Sequence, residues 1–295
     1  MILPNLMRTP SPWTRFLLLP LAAVLTSQLI AEDAKPKTGK AEEVKKAVIP
    51  EDLVGDEHVR EEFGVNEFTT PSIRRLFEMM DGLGSLSYEN LKRPVNDKVP
   101  ADRVSVSLRL GTLIADGFLV VQCEKVEEMQ GIGRAMLKMA KGLGAGSRVN
   151  KHTQSLLEHS IKGNWSDLRA ELARTQADVE AEMVQLRDTD IAHLISLGGW
   201  IRAFDISTQA VAENYSEEKS RHLARRDIVE YYMINLETLH PDIQKREPVS
   251  TLMEAMRALL PLVDVPEGKS MTPEEVKTLH ENAALLEEIV SESTK

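Results

Sequence analysis

An all-α fold is what this sequence predicts, and three observations carry the prediction. Apolar residues recur at three- and four-residue spacing over most of the chain after residue 67. Helix-start signals (Thr70-Pro71, Asp102, Ser216, Thr272-Pro273-Glu274-Glu275) and helix-stop signals (Gly82, Gly142 to Gly146, Gly163, Pro241) bracket those runs. No strand-turn-strand pattern and no fixed-period repeat stands out. The expected architecture is a multi-helix bundle or a stack of antiparallel helical hairpins, following a cleaved signal peptide.

Residues 1–31 read as that signal peptide. Arg8 and Arg15 give a positive start with no acidic residue, and Phe16 to Leu25 (FLLLPLAAVL) is the apolar stretch. Leu29-Ile30-Ala31 ends on a small residue, directly before Glu32 and Asp33. A spanning helix needs roughly 20 apolar residues; this run is about half that length and contains Pro20. Cleavage and a periplasmic or secreted product are therefore expected, and no later segment reads as a membrane span. No cysteine near the junction could accept a lipid, and no Arg-Arg pair suggests twin-arginine export.

Removing Arg8 and Arg15 takes the formal net charge from -10 to -12. So acidic a protein argues against a nucleic-acid partner, whose phosphates call for a basic face. Aromatics are only 4% of the chain, so Leu, Val, Ile, Ala and Met must fill the core. Cys123 is the single cysteine, so no internal disulfide can form; at the end of the run Phe118 to Cys123 it reads as a small buried hydrophobe.

Four regions are expected: the signal peptide at 1–31, a charged flexible tether with a possible short helix at 32–66, a helical core domain at 67–264, and a linker with a C-terminal docking helix at 265–295. A helix follows Thr70-Pro71, where Thr caps and Pro suits the first position. Residues 85–100, holding Pro94 and Pro100, read as a loop with a short helical piece. Residues 101–122 alternate like a strand at first. Ser105, Arg109, Thr112 and Asp116 nevertheless fall at steps of four, three and four, which is one stripe on a helix. Further helices are expected over about 124–143 and 147–162, then from Asn164 through Trp165, Leu168, Leu172, Val179, Met183 and Leu186.

The segment opening at Asp190 is apolar on nearly every side, which places it at the centre. Gly198-Gly199 in its middle weakens the helix by roughly 1 kcal/mol per Gly relative to Ala, so close approach of a neighbouring helix is expected there. Ser216 opens a helix to about His240, stopped by Pro241, and Pro248 opens another to about Val263. Thr272 to Glu275 is a capping box. Val276, Leu279, Ala283, Leu286 and Val290 then form a narrow apolar seam that needs a partner helix, in the same chain or across a dimer.

Chemistry-bearing patterns are sparse. Asp190-x-x-His193 and Glu237-x-x-His240 have the spacing used by di-metal helical proteins, but with seven histidines such matches arise by chance; no metal site and no cofactor is expected. The Gly-rich stretches at 131–133 and 142–146 lack a leading strand and a Gly-Lys-Ser/Thr, and read as helix punctuation. Residues 131–144 (GIGRAMLKMAKGLG) set Arg134, Lys138 and Lys141 against Ile132, Met136, Met139 and Leu143. Such helices can lie on anionic membranes, although a solvated basic face over a core-facing apolar one is the commoner outcome.

Asp116, Arg202 and Asp205 are charges on segments otherwise built for a core, so they are expected to be paired, Asp116 with Arg202 or Arg109. Arg109, Asp116, Trp200, Arg202 and Asp205 are the candidate ligand-binding residues, with His193 a neighbour of any pocket there. No Ser-His-Asp order, Gly-x-Ser-x-Gly or His-Glu-x-x-His occurs, so no catalytic residue is named. The sequence favours an exported, non-catalytic binding or envelope-associated module with an unspecified protein or small-molecule partner. The alternative is a periplasmic enzyme, or a small-ligand- or metal-binding bundle, with a pocket near Asp116 and Arg202.

Overall fold

The computed structural model of the chain describes Met80, residues 82–172, 174, 178, 189–266 and 268–292. Of its interpretable part 78% is helical, with no strands, so the all-α expectation holds. The described residues belong to one compact unit, residues 49–295. In chain order the helices are α1 (Tyr88–Leu91), α2 (Arg103–Gln122), α3 (Val126–Leu143) and α4 (Gly146–Ile161). After helical residues 165–172 come α5 (Thr189–Glu213), α6 (Glu217–Arg221), α7 (Arg226–Thr238), α8 (Pro241–Gln244), α9 (Glu247–Val263) and α10 (Pro273–Glu292). The leader, the tether, the helix expected after Thr70-Pro71 and the positions Val179, Met183 and Leu186 lie outside the described residues.

Local chemistry explains most of these boundaries. Asp102 caps α2, its Oδ1 accepting from the Ser105 amide at 3.1 Å. Gly144 ends α3 in the left-handed region, at φ +90°, where a Cβ would be strained. At the start of α10 the capping box closes both ways: the Thr272 amide donates to Glu275 Oε2 at 2.7 Å, and the Glu275 amide to Thr272 Oγ1 at 3.3 Å.

α2 and α5 form the centre and pack on each other more extensively than any other pair. Both are buried on nearly every side. By length and composition α2 could cross a membrane, which the sequence reading had not credited to any segment after the leader; 94% of its apolar window is buried inside the fold, as in a core helix. α3 lies on α2 and α4 on α3, while α10 packs on α5 and α9. The α10 seam is buried within the chain, with Val276, Leu279, Ala283, Leu286 and Val290 at most 1% exposed.

The two central helices touch at glycines. A Cβ on Gly198 would sit 2.1 Å from the Leu108 carbonyl oxygen, and one on Gly111 would sit 2.0 Å from the Ile195 carbonyl oxygen. Any side chain at either position would drive the backbones apart. The expected close approach at Gly198-Gly199 is therefore present, with Gly111 of α2 as its counterpart.

Two expectations are corrected. The helix from Ser216 to His240 is two helices, α6 and α7. Ser216 does cap, accepting from the Lys219 amide at 3.2 Å, but the chain turns out of helix at His222 and sends Leu223 into the core, 3% exposed. Pro241 begins a helix instead of ending one. α7 closes at Thr238, Leu239 is extended (ψ 156°), and His240 caps α8, its Nδ1 accepting from the Asp242 amide at 3.3 Å. A residue before proline is pushed out of the α region, whereas proline at the first helical position loses no hydrogen bond.

Gly111→Ala or Gly198→Ala should destabilise the fold by an amount at or above the top of the usual overpacking range of about 1–3 kcal/mol. Gly133→Ala, on α3 with open space around it, should instead raise stability by up to about 1 kcal/mol. Chemical denaturation of the three variants checks both signs.

Candidate functional site

The glycine contact sets up the chemistry next to it. Asp116 lies five residues beyond Gly111 on α2, and Arg202 four beyond Gly198 on α5, so the close crossing delivers the two side chains to each other. Arg202 Nε donates to Asp116 Oδ1 at 2.7 Å, and their side chains are 4% and 9% exposed. Arg202 Nη1 donates to Asp205 Oδ2 at 2.5 Å, and Nη2 to the Leu91 carbonyl behind α1.

A second guanidinium completes the cluster. Arg93, in the loop after α1, donates from Nε to Asp116 Oδ2 at 2.8 Å and brings Nη2 to 2.7 Å from the same oxygen. Its Nη1 donates to Glu287 of α10, whose carboxylate also accepts from the Ser291 hydroxyl at 2.7 Å. At the edge, His280 Nδ1 lies 3.7 Å from Asp205 Oδ1 and 3.3 Å from Thr208 Oγ1. Burial, the largest influence on Arg202, opposes its charge, but Asp116 and Asp205 outweigh it and the pKa is raised. Arg93 is lowered: burial dominates and Arg202 adds to it, against the pull of Asp116. Both shifts start from the arginine range, so both side chains remain cations.

Of the sequence candidates, Asp116, Arg202 and Asp205 come together and the others do not. Arg109 reaches the carbonyls of Lys98 at 3.5 Å and Ser291 at 3.4 Å, at the last turn of α10. Arg202 rather than Arg109 is thus the hydrogen-bonded arginine on Asp116 from the core helices. Trp200 faces elsewhere, stacked on Phe204 with centroids 5.0 Å apart and tilted against Tyr232 at 5.1 Å. The two carboxylate-His pairs meet only through a backbone bond, and their side chains do not gather at one point. Asp190 accepts the His240 amide at 3.1 Å, Glu237 pairs with Arg257 at 3.5 Å, and His193 sits apart beside Tyr232 and Asn235. Among the described residues no group of three or more His, Cys, Asp or Glu is arranged to hold a metal.

Sequence reasoning missed Arg93, Glu287 and His280. Arg93 sits in a loop before a proline, and Glu287 and His280 flank the apolar seam of a helix that reads as otherwise solvated. Nothing in their spacing marks them.

Neither cavity described here reaches Asp116 or Arg202. A cleft of about 410 Å³ lies between Gly84–Glu89 and Gln122–Lys125. Cys123 lines it, half-buried where full burial was expected, and burial pushes its thiol up, away from the thiolate a nucleophile needs. A void of about 10 Å³ beside His193, Tyr232 and Asn235 has room for at most one water. Burial lowers the His193 pKa, which favours the neutral ring.

A separate buried carboxylate sits between α4 and the following helical segment. Glu171 Oε1 lies 2.7 Å from His152 Nδ1, and its Oε2 accepts from Arg174 Nε at 2.9 Å; Asp178 Oδ2 is 3.2 Å from His152 Nε2. Each ring nitrogen of His152 therefore faces a carboxylate. Burial works to raise the Glu171 pKa, but the bonds from His152 and Arg174 win and it is lowered.

Asp116→Ala should cost roughly 3–5 kcal/mol in calorimetry, because it strands two guanidinium groups. A lowered carboxyl stabilises the fold above its unfolded pKa, and that contribution disappears as pH falls through the folded value. Glu171→Gln should therefore cost roughly 1–3 kcal/mol at neutral pH, and the gap to the wild type should narrow as the pH falls below the ordinary glutamate range. No protein-family model, curated protein or solved structure matches this chain.

Proposed function

We propose that this chain is an exported, non-catalytic binding or envelope-associated module, a helical bundle released behind a cleaved signal peptide. The observation that carries the reading is the inward pairing of its most polar interior. Each nitrogen of Arg93 and Arg202 has an acceptor within the chain, and both Asp116 oxygens are taken. A catalytic or ligand-binding centre keeps groups in reserve for its substrate and opens onto a cavity. Here the polar groups face one another and neither of the two cavities described above reaches them, a geometry that suits a brace between α2, α5 and α10. Function then falls to surfaces, which needs no cofactor.

Two measurements test the proposal. N-terminal sequencing of the protein recovered from outside the cytoplasm of an exporting cell should begin near Glu32; an intact Met1 there would overturn the cleaved signal peptide, and protein found only in the cytoplasm would overturn export. Native mass spectrometry of the same material should show a protein partner and no retained small molecule or transition metal. A small molecule retained by the wild type and lost from Arg202→Met, or a metal lost from His193→Ala, would establish the enzyme or ligand-carrier alternative instead.

A further inference from the structure

Beyond its first turn, which carries Glu127 and Glu128, the exposed face of α3 is basic in a chain whose net charge is -10. Arg134, Lys138 and Lys141 point to solvent, one turn apart, while Ile132, Met136, Met139 and Leu143 are buried beneath them. The apolar side of this helix is therefore committed to the core and cannot enter a bilayer. Something else lies beside the basic ridge: the loop of residues 95–99 runs along the same half of α3. Lys138 pairs with Asp97, and a Cβ at Gly142 would touch Val99 Cγ1 at 3.4 Å. Arg134 also bears on the Asp97 carboxyl, helping Lys138 to lower it. That loop exposes Lys98 and two valines, Val95 at 38% and Val99 at 40%.

We propose that this surface docks on anionic phospholipid bilayers. It sets four cations against the one acid of its loop, Asp97, which already has a partner, and it places two exposed apolar side chains next to them. Cations attract phosphate headgroups, and small apolar groups add contact at the headgroup boundary. A purely polyanionic partner such as nucleic acid would reward the charges and not the valines, so the combination favours a lipid surface. The surface is defined without reference to export.

The test is co-sedimentation of the full chain with vesicles of phosphatidylglycerol mixed into phosphatidylcholine, against vesicles of phosphatidylcholine alone. Residues 1–31 are apolar enough to bind lipid on their own, so the readout is the difference between variants of the same chain. The triple variant Arg134→Glu/Lys138→Glu/Lys141→Glu should bind the anionic vesicles at least tenfold more weakly than the wild type. Val95→Asn/Val99→Asn should lose severalfold, and added salt should weaken the wild type toward the triple variant. All five positions are exposed, so both variants should fold, which their melting curves check. Equal partitioning of wild type and triple variant would overturn the proposal, as would wild-type binding that ignores vesicle charge. Loss on charge reversal with none on valine replacement would also overturn it, in favour of a plain polyanion contact.

Discussion

The backbone contact between Gly111 and Gly198-Gly199 is the constraint on which the rest of the core depends. Two helices normally keep their backbones apart by the width of their side chains. Here a methyl group on either glycine would overlap a carbonyl oxygen of the other helix, at 2.0 Å for Gly111 and 2.1 Å for Gly198. Glycine inside a helix costs about 0.5–1 kcal/mol relative to alanine. Three of them at one crossing is a real loss, and what offsets it is the burial of α2 and α5 on nearly all sides. The short distance also has a chemical consequence: it brings Asp116 within hydrogen-bonding range of Arg202, where a wider separation would remove the ion pair that joins the two helices.

That ion cluster then decides how the outer elements attach. Arg202 draws in the carbonyl of Leu91 at the end of α1, and Arg93 follows from the same loop, bonding Asp116 on one side and Glu287 of α10 on the other. Buried ion pairs are weak sources of net stability, because desolvation consumes most of the Coulomb attraction. Their removal one partner at a time is costly for the same reason. The cluster is better understood as a device that makes wrong arrangements expensive. With α10 shifted along its seam, Glu287 would leave Arg93, and the apolar seam alone would not oppose that shift strongly.

Much of this was legible in the sequence, and the limits have physical causes. Helix periodicity and caps identified α2, α5, α9 and α10 because those signals are local: Asp102, Ser216 and the Thr272–Glu275 box act within one turn of themselves. The Gly198-Gly199 contact was also legible, as was a partner for Asp116 narrowed to Arg202 or Arg109, since residues that weaken a buried helix need a compensating neighbour. Gly111 was not, because a lone glycine in an apolar run carries no sign of what it faces. Arg93, Glu287 and His280 were hidden for a related reason. A charged residue in a loop, or on the flank of an amphipathic helix, has solvent as its default partner, and only the tertiary fold replaces it. The break between α6 and α7 has no Gly or Pro to announce it; burial of Leu223 imposes it from outside the segment.

The polar residues of the central helices answer a problem that their apolar residues create. A helix with a single apolar stripe is oriented by it: the stripe goes inward and the rest follows. α2 and α5 have no such stripe, so hydrophobic burial rewards many rotations of each helix about its own axis almost equally. Something directional must choose among them. The glycines do so sterically, since only one register lets the two backbones meet. The charges do so electrostatically, since only that register gives Asp116 both Arg202 and Arg93. Each device alone would be ambiguous, as small residues tolerate sliding and long arginine side chains tolerate rotation. Together they fix one axial position and one azimuth for the pair. On this argument Asp116, Arg202 and Arg93 are accounted for by the needs of the fold.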